Sequence, residues 1–96
     1  DLSIKNAKQY DIEAWFPRQD KYAEITSASN CTTWQAQRLN FKASMNNQKI
    51  TPHTLNNTAL ATSRIMVAIL ENFQNKDGKV DIPKCLHKYT GFKQMG

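Results

Sequence analysis

Residues 52–74 read PHTLNNTALATSRIMVAILENFQ, with a polar, hydroxyl-rich first half and the most continuously apolar run of the chain in its second. The join at Asn57-Thr58 predicts a helix start there, because Asn, Thr and Ser side chains satisfy backbone N–H groups that lack partners in the first turn. At about 100° per residue, Ala61, Ile65, Met66, Ala68, Ile69, Leu70 and Phe73 sweep roughly half the helix circumference. Leu60 and Val67 cover much of the rest, so the expectation is a buried central helix. Arg64 interrupts it. A cation on that helix is either a surface Arg whose stem covers apolar neighbours or a planar fork held out for a phosphate or carboxylate. Periodicity alone does not choose.

Working outward, Tyr10–Phe16 alternates as a strand that places Tyr10, Ile12, Ala14 and Phe16 on one face, and Pro17 stops it. Ala23–Ser27 reads as a second strand running into Ala28-Ser29-Asn30-Cys31, where small polar residues suggest a backbone that turns or ends near a ligand. Thr32 and Gln35 have capping-box spacing for a short helix from Thr33 to about Asn40. Phe41–Ser44 is a candidate strand, Met45–Lys49 a hairpin loop around Asn46-Asn47, and Ile50–Leu55 the strand that delivers the chain to the long helix. Asn75-Lys76-Asp77-Gly78 stops that helix. Val80–Pro83 is extended, Lys84–Tyr89 forms a closing turn of helix, and Gly91–Gly96 frays. Short connections favour antiparallel pairing, so the predicted class is α+β.

Ninety-six residues make one domain at most. No apolar run is long enough to span a membrane, and a start at Asp1 with no signal peptide suggests a piece of something longer. Cys31 and Cys85 lack metal spacing and read as two isolated buried thiols in a reducing compartment rather than a disulfide. A net charge of +5 invites a polyanion partner, but the thirteen basic residues are scattered along the sequence. Glu24 and Ser27 offer two hard oxygens of the kind Mg²⁺ uses alongside nucleotide phosphates. They face opposite ways on a regular strand, so the pair needs a strand end or bulge.

Several ordered blocks resemble the seryl-tRNA synthetases, which are class II aminoacyl-tRNA synthetases. HTLNNTALATSR and the following ILENFQ, Asp77-Gly78 and Ile82-Pro83 are similar to that family's motif 3 and C-terminal tail. Thr58 and Arg64 keep the family's six-residue spacing, with Asn57 where Gly is common. YDIEAWFP at 10–17, EITS at 24–27, ASN at 28–30 and QAQR at 35–38 match further segments. Thr33, Trp34 and Gln37 stand where the family has Asp, Phe or Tyr, and Arg.

The resemblance implies that residues 1–96 are a C-terminal segment of a class II catalytic domain. Its parent would be an ATP-dependent serine–tRNA ligase that forms seryl-adenylate and charges tRNA(Ser). Glu24, Ile25, Thr26, Ser27 and Arg64 would bind ATP, with Arg64 catalytic against the adenine and the γ-phosphate. Glu24 and Ser27 would hold Mg²⁺, and Asn56 and Thr58 would meet the hydroxyl of serine. Motifs 1 and 2, the TxE serine loop and the coiled-coil tRNA arm are expected to precede this segment, so the piece alone would not aminoacylate. A homodimeric parent in the cytoplasm, or in a mitochondrion or other organelle, is implied. The competing reading is a stand-alone basic RNA-binding or structural module built on the same scaffold.

Overall fold

The computed structural model describes residues 3–96. Its strands and helices are β1 (Lys8–Phe16), β2 (Lys21–Asn30), α1 (Trp34–Arg38), β3 (Ala43–Met45), β4 (Gln48–Ile50), β5 (Leu55–Thr58), α2 (Thr62–Asn72), β6 (Val80–Asp81), α3 (His87–Thr90) and β7 (Gln94–Met95). β1, β2 and β5 form a sheet in that order, and β3–β4 and β6–β7 are antiparallel ribbons. This is the antiparallel α+β class expected. The residues fall into two compact units, Asp1–Ile12 with Thr26–Ala59 and Glu13–Ile25 with Leu60–Gly96.

In the first unit, β5 pairs antiparallel with the second half of β2, in the register Ser27–Thr58, Ala28–Asn57, Ser29–Asn56 and Asn30–Leu55. The ladder runs on beyond β5, with Cys31 N–H donating to the Thr54 carbonyl and Thr54 N–H to the Thr32 carbonyl, both at 2.9 Å. This corrects the expected helix start. Residues 55–58 give their backbone groups to β2, so the helix begins only at Thr62. Asn57 is ordinary strand, which removes any need for glycine there. The polar run through Asn30 also stays extended instead of turning, because its buried member is satisfied. Ser29, 8% exposed, accepts from Asn6 Nδ2 at 3.2 Å and donates to Gln9 Oε1 at 3.3 Å. A buried hydroxyl with two partners costs little, whereas an orphan would cost roughly 1–3 kcal/mol.

The capping box does not form. Thr32 takes a positive φ of 49°, its N–H is bound by Asn30 Oδ1, and the Gln35 side chain instead accepts from Thr54 Oγ1 at 2.7 Å. α1 is therefore a short five-residue helix with Ala36 buried beneath it. The Asn46-Asn47 loop behaves as the sequence suggests. Both residues have positive φ, 50° and 60°, the two-residue geometry that matches strand twist and that Asn tolerates. Replacing Asn47 with Val is expected to cost about 1–2 kcal/mol, because a β-branched residue pays the full left-handed penalty. Asn47→Gly should cost nothing; urea midpoints of the two variants check this.

In the second unit α2 rises from the first half of β2. Ala61 N–H donates to the Ile25 carbonyl at 2.8 Å. The backbone N–H of Arg18 reaches Glu71 Oε2, and Asn72 Nδ2 caps both the Trp15 and the Ala68 carbonyls at 2.8 Å. Phe16, Ala68 and Val80 are this unit's buried apolar residues. The expectation of burial all round α2 is not met within the chain. Only Ala68 is buried, while Met66, Val67 and Phe73 are 59%, 41% and 43% exposed, since the neighbours present cover one side alone.

Two further expectations change at the C-terminal end. Gln94–Met95 does not fray but pairs with Val80–Asp81, helped by Gln94 Nε2 donating to Asp81 Oδ1 at 2.8 Å. Cys85 is exposed, whereas Cys31 is buried as expected. The Asn75 turn does form as read, its side-chain oxygen accepting from Asp77 N–H and Lys79 N–H ahead of Gly78 at φ 75°.

Candidate functional site

The expected site residues divide between the two units, and each group has its own geometry. In the second unit Arg64 sits in the first turns of α2, and its Nη1 donates to the backbone carbonyl of Glu24 at 2.8 Å. Two residues forty positions apart, both expected to bind nucleotide, thus meet directly. A guanidinium has five N–H donors in a rigid fork. Using one of them on a strand carbonyl fixes the plane and leaves the others for an anion or an aromatic ring. Arg64 also lines a cavity of about 380 Å³ with Phe16, Gln19, Ala23, Ser63 and Val67. Its wall mixes apolar Phe16, Ala23 and Val67 with polar Gln19 and Ser63 around the cation, which suits a ligand with both an apolar and a charged part. The adjacent Ile25 serves through its carbonyl, which anchors the start of α2.

In the first unit, register decides which side chains share a face. Ser27 lies directly across from Thr58, and Ser29 across from Asn56. Alternation then puts Ser27, Ser29, Asn56 and Thr58 on one face, with Thr26, Ala28 and Asn57 on the other. Asn56 and Thr58 are exposed, and Thr26 and Ser27 half-buried. The pair expected to meet serine is therefore presented together, on a face rich in hydrogen-bonding groups. A cavity of about 360 Å³ includes Asn56, Asn57 and Ser29, with Lys8 and Tyr10 from β1. Lys8 Nζ stands 4.9 Å from the centre of the Tyr10 ring.

Lys8, Tyr10 and the Asn6–Gln9–Ser29 network were not legible in the sequence as site features. The contacts of Asn6 and Gln9 with Ser29 join residues twenty or more apart in sequence, which no local spacing encodes. Among the described residues, no three His, Cys, Asp or Glu side chains cluster as metal ligands. Glu24 and Ser27 both lie inside β2, Lys21–Asn30, with no strand end between them, so the turn of backbone that the sequence reading required to bring them to one face is not formed there. Among the described residues, no helix is long and apolar enough to cross a membrane.

Residues 1–73 match the family model for the tRNA synthetase class II core domain (G, H, P, S and T). The chain is 59% identical to the serine–tRNA ligase of Pyrococcus horikoshii over 97 aligned positions, 99% of this chain and 21% of that protein. With the serine–tRNA ligase of Picrophilus torridus it shares 57% over 91 positions, 94% of this chain and 20% of that protein. Its fold superposes on a crystal structure of seryl-tRNA synthetase from Pyrococcus horikoshii complexed with ATP, at a TM-score of 0.89 and 58% identity, covering 99% of this chain and 22% of that one. Cytoplasmic serine–tRNA ligase from Naegleria fowleri, in complex with AMP, gives 0.83 and 40%, covering 98% and 22%. The chain spans about a fifth of the length of the curated relatives it matches. It belongs to the class II tRNA synthetase core-domain family.

Proposed function

We propose that this chain is a C-terminal segment of the catalytic domain of a serine–tRNA ligase, contributing to seryl-adenylate formation and to the charging of tRNA(Ser). Likeness along almost the whole chain to a seryl enzyme complexed with ATP carries the reading, and Arg64 held on the Glu24 carbonyl gives it a physical basis. Arg64 stacks on the adenine and meets the γ-phosphate. Ile25 and Thr26 line the nucleotide segment, and Glu24 and Ser27 are the residues that would supply oxygens to Mg²⁺ carried in on the phosphates. Bound there, the cation would neutralise phosphate charge; the serine carboxylate attacks the α-phosphorus, the α–β phosphoanhydride bond breaks and pyrophosphate leaves.

Asn56 and Thr58 hydrogen-bond the serine hydroxyl. A substrate without the hydroxyl leaves these groups unpaired, so the site rejects it strongly. The apolar side chains that α2 leaves exposed support a place within a larger homodimeric enzyme, because patches of this kind mark interaction surfaces. Kinship with a cytoplasmic ligase supports a cytoplasmic location.

The test is charging of tRNA with serine. The complete product of the gene is expected to aminoacylate, whereas the 96-residue chain expressed alone, though folded, is expected to show no turnover. Turnover by the isolated chain would contradict the assignment of the remaining catalytic groups to other segments.

A further inference from the structure

The first unit gathers positive charge that looks scattered along the sequence. Trp34, at the start of α1, has Arg38 Cζ at 5.2 Å and Lys5 Nζ at 5.8 Å from its ring centre. Those distances keep the two cations within about one Debye length at 0.1 M salt, roughly 10 Å, so salt screens their repulsion in part and leaves the rest. Attraction to the ring face offsets part of that repulsion. Between Glu24 and Glu71 the sequence has no Asp or Glu at all. Among this unit's described residues the one carboxylate is Asp11, already engaged by Gln9 Nε2 at 2.9 and 3.1 Å. Lys8, Lys42 and Lys49 add to the same unit's charge. Beside Trp34 lies a surface cavity of about 240 Å³, with Asn6, Thr32, Thr33 and Gln37 on its wall.

We propose that Trp34, Lys5 and Arg38 form a contact site for a single-stranded segment of RNA. The two cations take backbone phosphates, and the indole edge with its neutral polar neighbours takes a base. Paired cations on an aromatic ring suit a single strand, whose unstacked bases and phosphates are both within reach. A protein partner would need an acidic surface to match and would leave the polar cavity unused. The choice of RNA as the polyanion rests on the synthetase reading above. The site itself goes beyond that reading, which places the tRNA contacts in segments outside this chain.

The experiment is fluorescence anisotropy of a short, labelled, unstructured RNA titrated with the 96-residue chain, between about 50 and 200 mM salt. Lys5→Gln with Arg38→Gln is expected to flatten the slope of log K against log salt by about 1.4, two phosphate contacts at about 0.7 each. Trp34→Ala should weaken binding about tenfold, since it removes both the ring that holds the two cations and the edge that meets the base. The exposed pair Lys76→Gln with Lys79→Gln removes the same charge from the other unit and should leave the slope unchanged. Equal slopes for the two double variants would overturn the proposal in favour of diffuse charge, as would a wild-type chain that binds no RNA. Both readouts are independent of serine activation, so failure here leaves the functional assignment standing or falling on its own test.

Discussion

Arg64→Ala in the complete gene product is expected to lower serine-dependent ATP–pyrophosphate exchange by about 10²-fold or more, the scale set by losing one preorganised donor to developing charge. The side chain is exposed, so the loss should leave the far-ultraviolet spectrum intact. Its one hydrogen-bond partner among the described residues is the Glu24 carbonyl, and an exposed bond of that kind contributes only about 1 kcal/mol to stability. Arg64→Lys separates the two roles. A lysine keeps a positive charge but loses the planar fork and the stacking surface, so it should recover stability without recovering most of the rate. Full activity in Arg64→Ala would remove Arg64 from the nucleotide site. That outcome would leave it a surface residue whose stem covers Val67.

Phe16→Ala is expected to be the most destabilising single truncation, at about 3–5 kcal/mol. Phe16 is 3% exposed at the end of β1, in a unit whose other buried apolar side chains are the small Ala68 and Val80. Small domains have about 5–15 kcal/mol in total, so the variant should lose most of its cooperative urea transition. The nearby Trp15, packed edge-on against Tyr22 at 5.1 Å between ring centres, supplies the fluorescence signal. Ile12→Ala and Leu55→Ala are the controls. These side chains are 63% and 82% exposed, and surface changes are usually within about 0.5 kcal/mol. A large cost at Leu55 would mean that the isolated chain associates through it.

The contrast between Phe16 and α2 shows what the sequence carries and what it does not. The stop of the helix ahead of Asn75-Gly78 was legible, because it follows from local turn chemistry. So was the Asn46-Asn47 hairpin, where the residues themselves favour positive φ. The start of the helix was not legible. Thr58 has the look of a cap, but its backbone is committed to Ser27, and that partner is distant in the chain. The same reason hid the satisfied hydroxyl of Ser29, the C-terminal ribbon and the missing capping box at Thr32. Burial around α2 was overestimated because apolar periodicity states only that a face needs cover, and the chain covers one side.

The candidate site divides in the same way. Glu24 and Arg64 were identified separately, by resemblance, and the structure joins them with a hydrogen bond. Asn56 and Thr58 are two residues apart on a strand, so their shared face needed only β5 to be extended. Lys8 and Tyr10 come from a strand with no site motif of its own, and only the folded sheet brings them to the Asn56 cavity.

ATP–pyrophosphate exchange by the complete gene product, measured with each standard amino acid in turn, tests the central claim most directly. Exchange that depends on serine, with alanine at background, is the expected result, since the proposed hydroxyl partners Asn56 and Thr58 would be left unpaired by a substrate without the hydroxyl. Exchange supported by a different amino acid, or by none, would contradict the account.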